Sequence, residues 1–250
     1  MQIMYDDKNF LIMYKDSGIP SSPLKSIEEE KNNALAFAIE NFPQIKNVKN
    51  QLKPIEYGLV HRIDTETEGV LLIAKNTETW NFFRKIQSEN QFTKQYFAIC
   101  NKKIASQEGF PNCPFYLRNG QIITSKFRHY GKGRSQVRPV LQDCKATFAS
   151  KKASDKIYST KILDYEVIPG NKNCNFFKIK CSITQGFRHQ VRCHLAWLGY
   201  PVVNDKLYNT ENDFSQKFDT QMQFFATGLE FPSLEDKSKI FRFDASNKIK

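Results

Sequence analysis

The chain lacks the run of about 20 apolar residues that crosses a bilayer as a helix. Its opening MQIMYDDKNF carries two early aspartates and no long apolar segment, so it does not read as a secretory signal. It has no C-x-x-C pair. Cys100, Cys113, Cys144, Cys174, Cys181 and Cys193 are scattered, which excludes a compact disulfide framework and predicts free thiols in a reducing cytoplasm. Cys193 lies between His189 and His194, but those histidines are too far apart along a helix to share a face, so no metal is expected. No P-loop or dinucleotide fingerprint occurs, and no repeat, low-complexity tract or clear linker. Residues 1–250 are therefore expected to form a single domain, monomeric by default, with neither cofactor nor membrane contact. Acidic residues are in deficit: 26 Asp and Glu face 37 Lys and Arg, a formal net charge of +11. Such an excess is the footprint of a polyanionic partner, since phosphate contacts supply most sequence-independent affinity. Charge alone leaves a generally lysine-rich composition as the alternative.

Twenty-one phenylalanines predict a Phe-rich core. Residues 2–15 read as two short strands around a turn at Asp6–Asn9. Ser26 and Glu29 have capping-box spacing and predict a helix with Leu35, Ala38, Ile39 and Phe42 inward, stopped by Pro43. Residues 44–57 read as an exposed loop. GVLLIAK, 69–75, reads as a strand buried on both sides. Thr77 can cap a helix with Trp80, Phe83 and Ile86 inward, and TKQYFAIC, 93–100, is another strand. Residues 101–140 look irregular. A hairpin over 157–183 turns at Pro169 and Gly170, a helix follows over about 188–198, and a last strand lies near 221–229, before a frayed lysine-rich tail. The class is α+β, strand-rich with interleaved helices.

Four clusters carry candidate chemistry. HRIDTETEG, 61–69, gathers His61, Arg62 and Asp64 where the chain is about to enter the core, a common place for functional groups on a rigid base. An ordinary turn with an Arg–Asp pair is the plainer alternative. QGFRHQVRCHLAWLGYPVVND, 185–205, sets Arg188, Gln190, Arg192 and His194 on a short helix, able to bind phosphate or simply to face solvent. Lys94 and Tyr96 are two apart on a strand and share a face. SKFRHYGKGRSQVR, 125–138, interleaves Lys126, Arg128, Lys132, Arg134 and Arg138 with Phe127 and Tyr130: cations for a phosphate backbone, rings for unpaired bases.

Together these stretches resemble the RluA-type pseudouridine synthases. That family has a strand-leading motif of approximately H-R-[LI]-D-x-x-T-S-G, then an apolar strand and A-K; here it is HRIDTETEGVLLIAK, 61–75. A lysine–x–tyrosine motif follows, here Lys94-Gln95-Tyr96, and then GFRHQVRCHLAWLGYPVVNDKLY, 186–208. Lys15-Asp16-Ser17-Gly18 is similar to the family's opening K-P-x-G. Departures are Asp16 for proline, Glu68 for serine, Phe187 for arginine with Arg188 displaced by one, and Asn204 for glycine.

The resemblance implies a mixed, mostly antiparallel sheet with flanking helices and a central active-site cleft. It leaves no room for an N-terminal accessory RNA-binding domain. It implies isomerisation of uridine to pseudouridine in ribosomal or transfer RNA without cofactor or metal. Asp64 becomes the catalytic carboxylate, Arg192 the guanidinium that keeps it ionised, and Tyr96 the ring that stacks on the base. Arg62 is expected to contact RNA and fill the space of an extruded uridine. Lys94 would hold phosphate or brace the site, and His61 would be structural. Lys126, Arg128, Lys132, Arg134 and Arg188 would bind RNA. Two rivals remain: a non-catalytic RNA-binding protein on the same fold, and a glycosidase using Asp64 with Glu66 or Glu68.

Overall fold

The computed structural model describes residues 1–103, 107–141, 153–170, 175–210, 218 and 220–249. Cys144, Cys174 and the continuation of the Pro169-Gly170 turn lie outside them. In chain order the strands are β1 (Gln2–Asp6), β2 (Phe10–Lys15), β3 (Glu68–Ala74), β4 (Thr93–Asn101), β5 (Ile122–Tyr130), β6 (Gln136–Val140), β7 (Tyr158–Ile168), β8 (Phe176–Ile183), β9 (Phe224–Pro232) and β10 (Ile240–Asp244). The described α-helices are α1 (Ala34–Asn41), α2 (Thr77–Ser88) and α3 (Gln190–Trp197). The class is α+β, as expected. None of the described helices is long and apolar enough to cross a membrane.

The chain divides into two units, Met1–Lys94 with Phe225–Lys250, and Gln95–Phe224. In the first, the strands run in the order β1-β2-β3-β9-β10. All pairs are antiparallel except β3 with β9. The continuous apolar run of β3 is buried along Gly69–Ala74; β2 pairs with it over this whole length, β9 meets only the first two residues of β3, and α2 packs on it. At Gly69 (φ +133°) a Cβ would lie 2.1 Å from the Ala226 carbonyl oxygen, so only glycine permits the β3–β9 approach. The core is Phe-rich: Phe10, Phe83, Phe92 and Phe231 are buried and meet largely edge to face, with Phe83 and Phe231 centroids 5.0 Å apart.

In the second unit the order is β4-β8-β7-β5-β6, and α3 packs on β6 and β7. Phe127, Val137 and Tyr208 pack with Cys193 of α3 in one buried cluster of this unit, and Ile99, Phe176 and Val203 form another.

Several expectations need correction. Ser26 Oγ does accept from Glu29 N at 3.2 Å, but it closes only a local turn. The helix starts at Asn33, whose side chain caps Ala36 N. The cap of α2 is Asn76 rather than Thr77. Residues 44–57 are not simply exposed: Ile45, Val48, Asn50 and Glu56 are buried around two 3-10 turns. The stretch 101–140, expected to be irregular, contains the β5–β6 hairpin. Its glycines, its charge and Pro139 disguise it. Pro139 is tolerated because β6 is the outermost strand of this order. A final strand, β10, escaped the sequence reading.

Candidate active site

The Asp64 turn belongs to the first unit. Four consecutive carbonyls of it are hydrogen-bonded. Ile63 O accepts from Ser21 Oγ (2.7 Å), and Asp64 O from Thr67 N (3.1 Å). Thr65 O accepts from Lys15 Nζ (3.0 Å) and Gly18 N (2.9 Å), and Glu66 O from Ser17 Oγ (2.9 Å). Ser21 Oγ also accepts from Ile63 N at 3.1 Å. The segment 15–21 is thus a template on which the Asp64 backbone is cast. Every peptide group with a fixed partner removes freedom from the side chain it carries.

Lys15 is the hub. Fully buried at the end of β2, its ammonium donates to the carbonyls of Asp16 (3.0 Å), Ile19 (2.6 Å) and Thr65 (3.0 Å). Burial lowers it to about 8, against the attraction of Asp64 first and then Glu66, Asp16 and Glu68. A cation within electrostatic reach of Asp64 therefore comes from its own unit. Sequence reading found Lys15 only as part of the K-P-x-G resemblance. Its role shows only when the carbonyls are brought round it.

Glu68, the departure from serine, accepts a 2.8 Å hydrogen bond from Tyr14 Oη. Burial and this bond push the Tyr14 phenol well up. His61 is buried and accepts from Leu72 N through Nε2 at 3.3 Å. Burial lowers it to about 3, so it is neutral at ordinary pH. Lys94 is buried too, lowered to about 8 by burial and by Arg84. Arg62 is half-exposed and pairs with Glu56 at 3.0 Å.

The second unit holds Tyr96 and Arg192. Tyr96 is buried and stacked on Phe224, centroids 5.3 Å apart and planes 5° apart. Arg192 makes a buried bidentate pair with Asp205, Nε to Oδ2 and Nη2 to Oδ1, both 2.7 Å. Asp205 Oδ1 also accepts from Leu207 N (2.9 Å) and Tyr208 N (3.2 Å). Tyr208 Oη in turn accepts from Val137 N at 2.9 Å. The Asp205–Arg192 clamp was not foreseen. Asn204 takes φ 61°, a left-handed conformation that asparagine tolerates better than most residues, which explains how it stands in for glycine. Phe187 stacks on Phe127 at 5.1 Å, so this departure extends the aromatic core. His194, linked to Ser125 Oγ (3.0 Å) and Thr160 Oγ1 (2.8 Å), is lowered by burial to about 3.

The basic stretch 125–138 is a hairpin rather than a loop, and its cations divide. Arg138 is buried, donates to Glu108 O (2.8 Å) and lies over the Tyr130 and Phe110 rings. Its cross-strand partner Arg128 also packs over Tyr130. Lys132 and Arg134 are exposed at the tip, and exposed Arg188 donates to Arg134 O at 3.1 Å. Lys126 is half-buried on β5. Among the described residues, no group of three or more His, Cys, Asp or Glu side chains could hold a metal ion.

Residues 9–197 match the family model described as RNA pseudouridylate synthase. The tRNA pseudouridine(31) synthase of Saccharomyces cerevisiae is 24% identical over 95% of this chain and 52% of its own length. The ribosomal large subunit pseudouridine synthase D of Borreliella burgdorferi is 24% identical over 96% of this chain and 64% of its own. The chain thus spans roughly half to two thirds of the length of these relatives. Human RNA Pseudouridylate Synthase Domain Containing 1 shares the fold, with a TM-score of 0.61 at 17% identity, covering 97% of this chain and 82% of that one. With a match over three quarters of its residues, all three motifs in order and the same fold, the chain belongs to the RNA pseudouridylate synthases of RluA type.

Proposed function

We propose that this protein isomerises uridine to pseudouridine in transfer or large-subunit ribosomal RNA, as one catalytic domain with Asp64 as its essential carboxylate. The observation that carries the proposal is the Asp64 turn, where four successive backbone carbonyls are fixed inside a segment that the family model covers.

The reaction breaks the bond from C1′ to N1 of uracil, turns the base and forms a bond from C1′ to C5. The C5 proton is lost and N1 gains one, so the change is an isomerisation with no redox balance to supply. In this reading the ionised Asp64 either attacks C1′ or stabilises a charged sugar while a neighbouring proton leaves. Arg192, the arginine of the H-Q-x-R run, is held in shape by its bidentate pair with Asp205. Tyr96, pre-stacked on Phe224, offers a fixed aromatic face to uracil. Arg62 contacts the RNA from which the uridine is extruded. Lys94 braces the site from within. Lys132, Arg134 and Arg188 hold phosphates, with Lys126 and Arg128 along the same hairpin. Glu68 is engaged by Tyr14, which disfavours it as the second carboxylate of a hydrolase.

The test is incubation of the protein with uridine-labelled bulk tRNA and rRNA, without added cofactor. Pseudouridine without free uracil is expected. Free uracil would indicate a hydrolase, and binding without product a non-catalytic RNA-binding protein. Asp64→Asn should lower turnover by about 10^4-fold or more while RNA affinity stays within about twofold.

A further inference from the structure

Glu56 closes the 3-10 turn Pro54–Glu56, just ahead of the Asp64 turn. One of its oxygens, Oε1, accepts from three donors: Lys53 Nζ at 2.6 Å, Arg62 Nη1 at 3.0 Å and Ser22 Oγ at 3.2 Å. The two ends of the Arg62 contact have different stakes. The Glu56 side chain is only 12% exposed, whereas that of Arg62 is 58% exposed. A near-buried carboxylate must keep donors, while a solvated guanidinium is released at little cost. Lys53 and Ser22 stay on the same oxygen when Arg62 leaves, so the carboxylate is not stranded.

We propose that Glu56 is a positioning residue for Arg62. It docks the arginine in the RNA-free protein and releases it into the space vacated by an extruded uridine. The inference rests on the RNA contact proposed for Arg62. Lys53 sets the strength of the dock, because it competes with Arg62 for one oxygen. With its arginine end in solvent, such a pair biases an equilibrium by about two- to fivefold, enough to hold a side chain and weak enough to yield to RNA.

The experiment uses a short RNA stem-loop with 2-aminopurine beside a loop uridine, whose fluorescence rises when the neighbouring base leaves the stack. Glu56→Gln should raise the extruded fraction by about two- to fivefold. Lys53→Met, which gives Arg62 the stronger claim on the carboxylate, should lower it by a similar factor. Both effects should vanish in an Arg62→Ala background. A change that persists without Arg62, or no change in either variant, overturns the dock while leaving the RNA contact intact. Arg62→Ala alone behaving as wild type overturns the RNA contact itself, and the dock with it. Lys53 keeps 40% of its side chain exposed and, among the described residues, makes no buried contact of its own beyond Glu56, so its variant keeps the test open if Glu56→Gln does not fold.

Discussion

The Asp64 turn and the tip of the β5–β6 hairpin are both polar and both lie in stretches that the sequence marks as functional, yet they are built in opposite ways. The turn is cast by side chains and amides of residues 15–21, with its principal cation, Lys15, fully buried. The tip carries Lys132 and Arg134 in solvent, linked to Arg188 by a single backbone contact. The difference fits the roles proposed for each. A carboxylate acting on one sugar carbon must be held to a fraction of an ångström, and such placement needs an over-determined backbone. A phosphate backbone is attracted over several ångströms, so solvated charge suffices and rigidity adds little.

The sharpest way to break the contrast is Lys15→Met. It takes the ammonium donor from the carbonyls of Asp16 and Ile19, leaving Thr65 O with Gly18 N alone, and should cost about 2–4 kcal/mol in urea unfolding. Turnover should fall further than stability, while salt-dependent RNA binding through the hairpin persists. Equal loss of both would show that the two regions are not independent.

Acid should strike both units alike. His61 and His194 are each neutral when folded, lowered by burial to about 3. Unfolded, each takes up a proton below about 6.5. The unfolded chain therefore binds more protons between those values, and stability declines as pH falls from 6.5 toward 3. Between pH 6.5 and 4.5 the loss is up to about 2–3 kcal/mol for each histidine. His194→Gln should flatten the slope by one proton in denaturant titrations across this window.

Charge reversal at the tip, Lys132→Glu with Arg134→Glu, should weaken RNA binding about tenfold and lower the salt slope by about two. Turnover at saturating RNA should be unchanged. A lost turnover would assign the tip to positioning rather than attraction. The smallest effect belongs to Asn204→Gly, within about 0.5 kcal/mol by thermal melting, since asparagine already tolerates the left-handed backbone there.

Much of the fold was legible where local pattern and environment agree. The apolar run of β3, the Lys94–Tyr96 strand and the arginine-bearing helix α3 all lie where their patterns indicate. Legibility failed where local chemistry serves two structures. Ser26 with Glu29 has the spacing of a helix start and makes only a turn. The hairpin hid because cations and glycines imitate a loop, and Arg138 is committed to the Phe110 and Tyr130 rings, which only folding brings near it.

The sequence by itself determined the family, the order of the motifs and the identity of the candidate carboxylate, because chemistry requires particular residue types at short spacing. Tertiary structure alone decided which of the cations are buried as braces and which stay in solvent. By residue type Lys15 and Arg138 read like any other basic residue in one dimension. Their bracing role appeared only when the carbonyls and rings they serve, many of them distant in the chain, were folded round them.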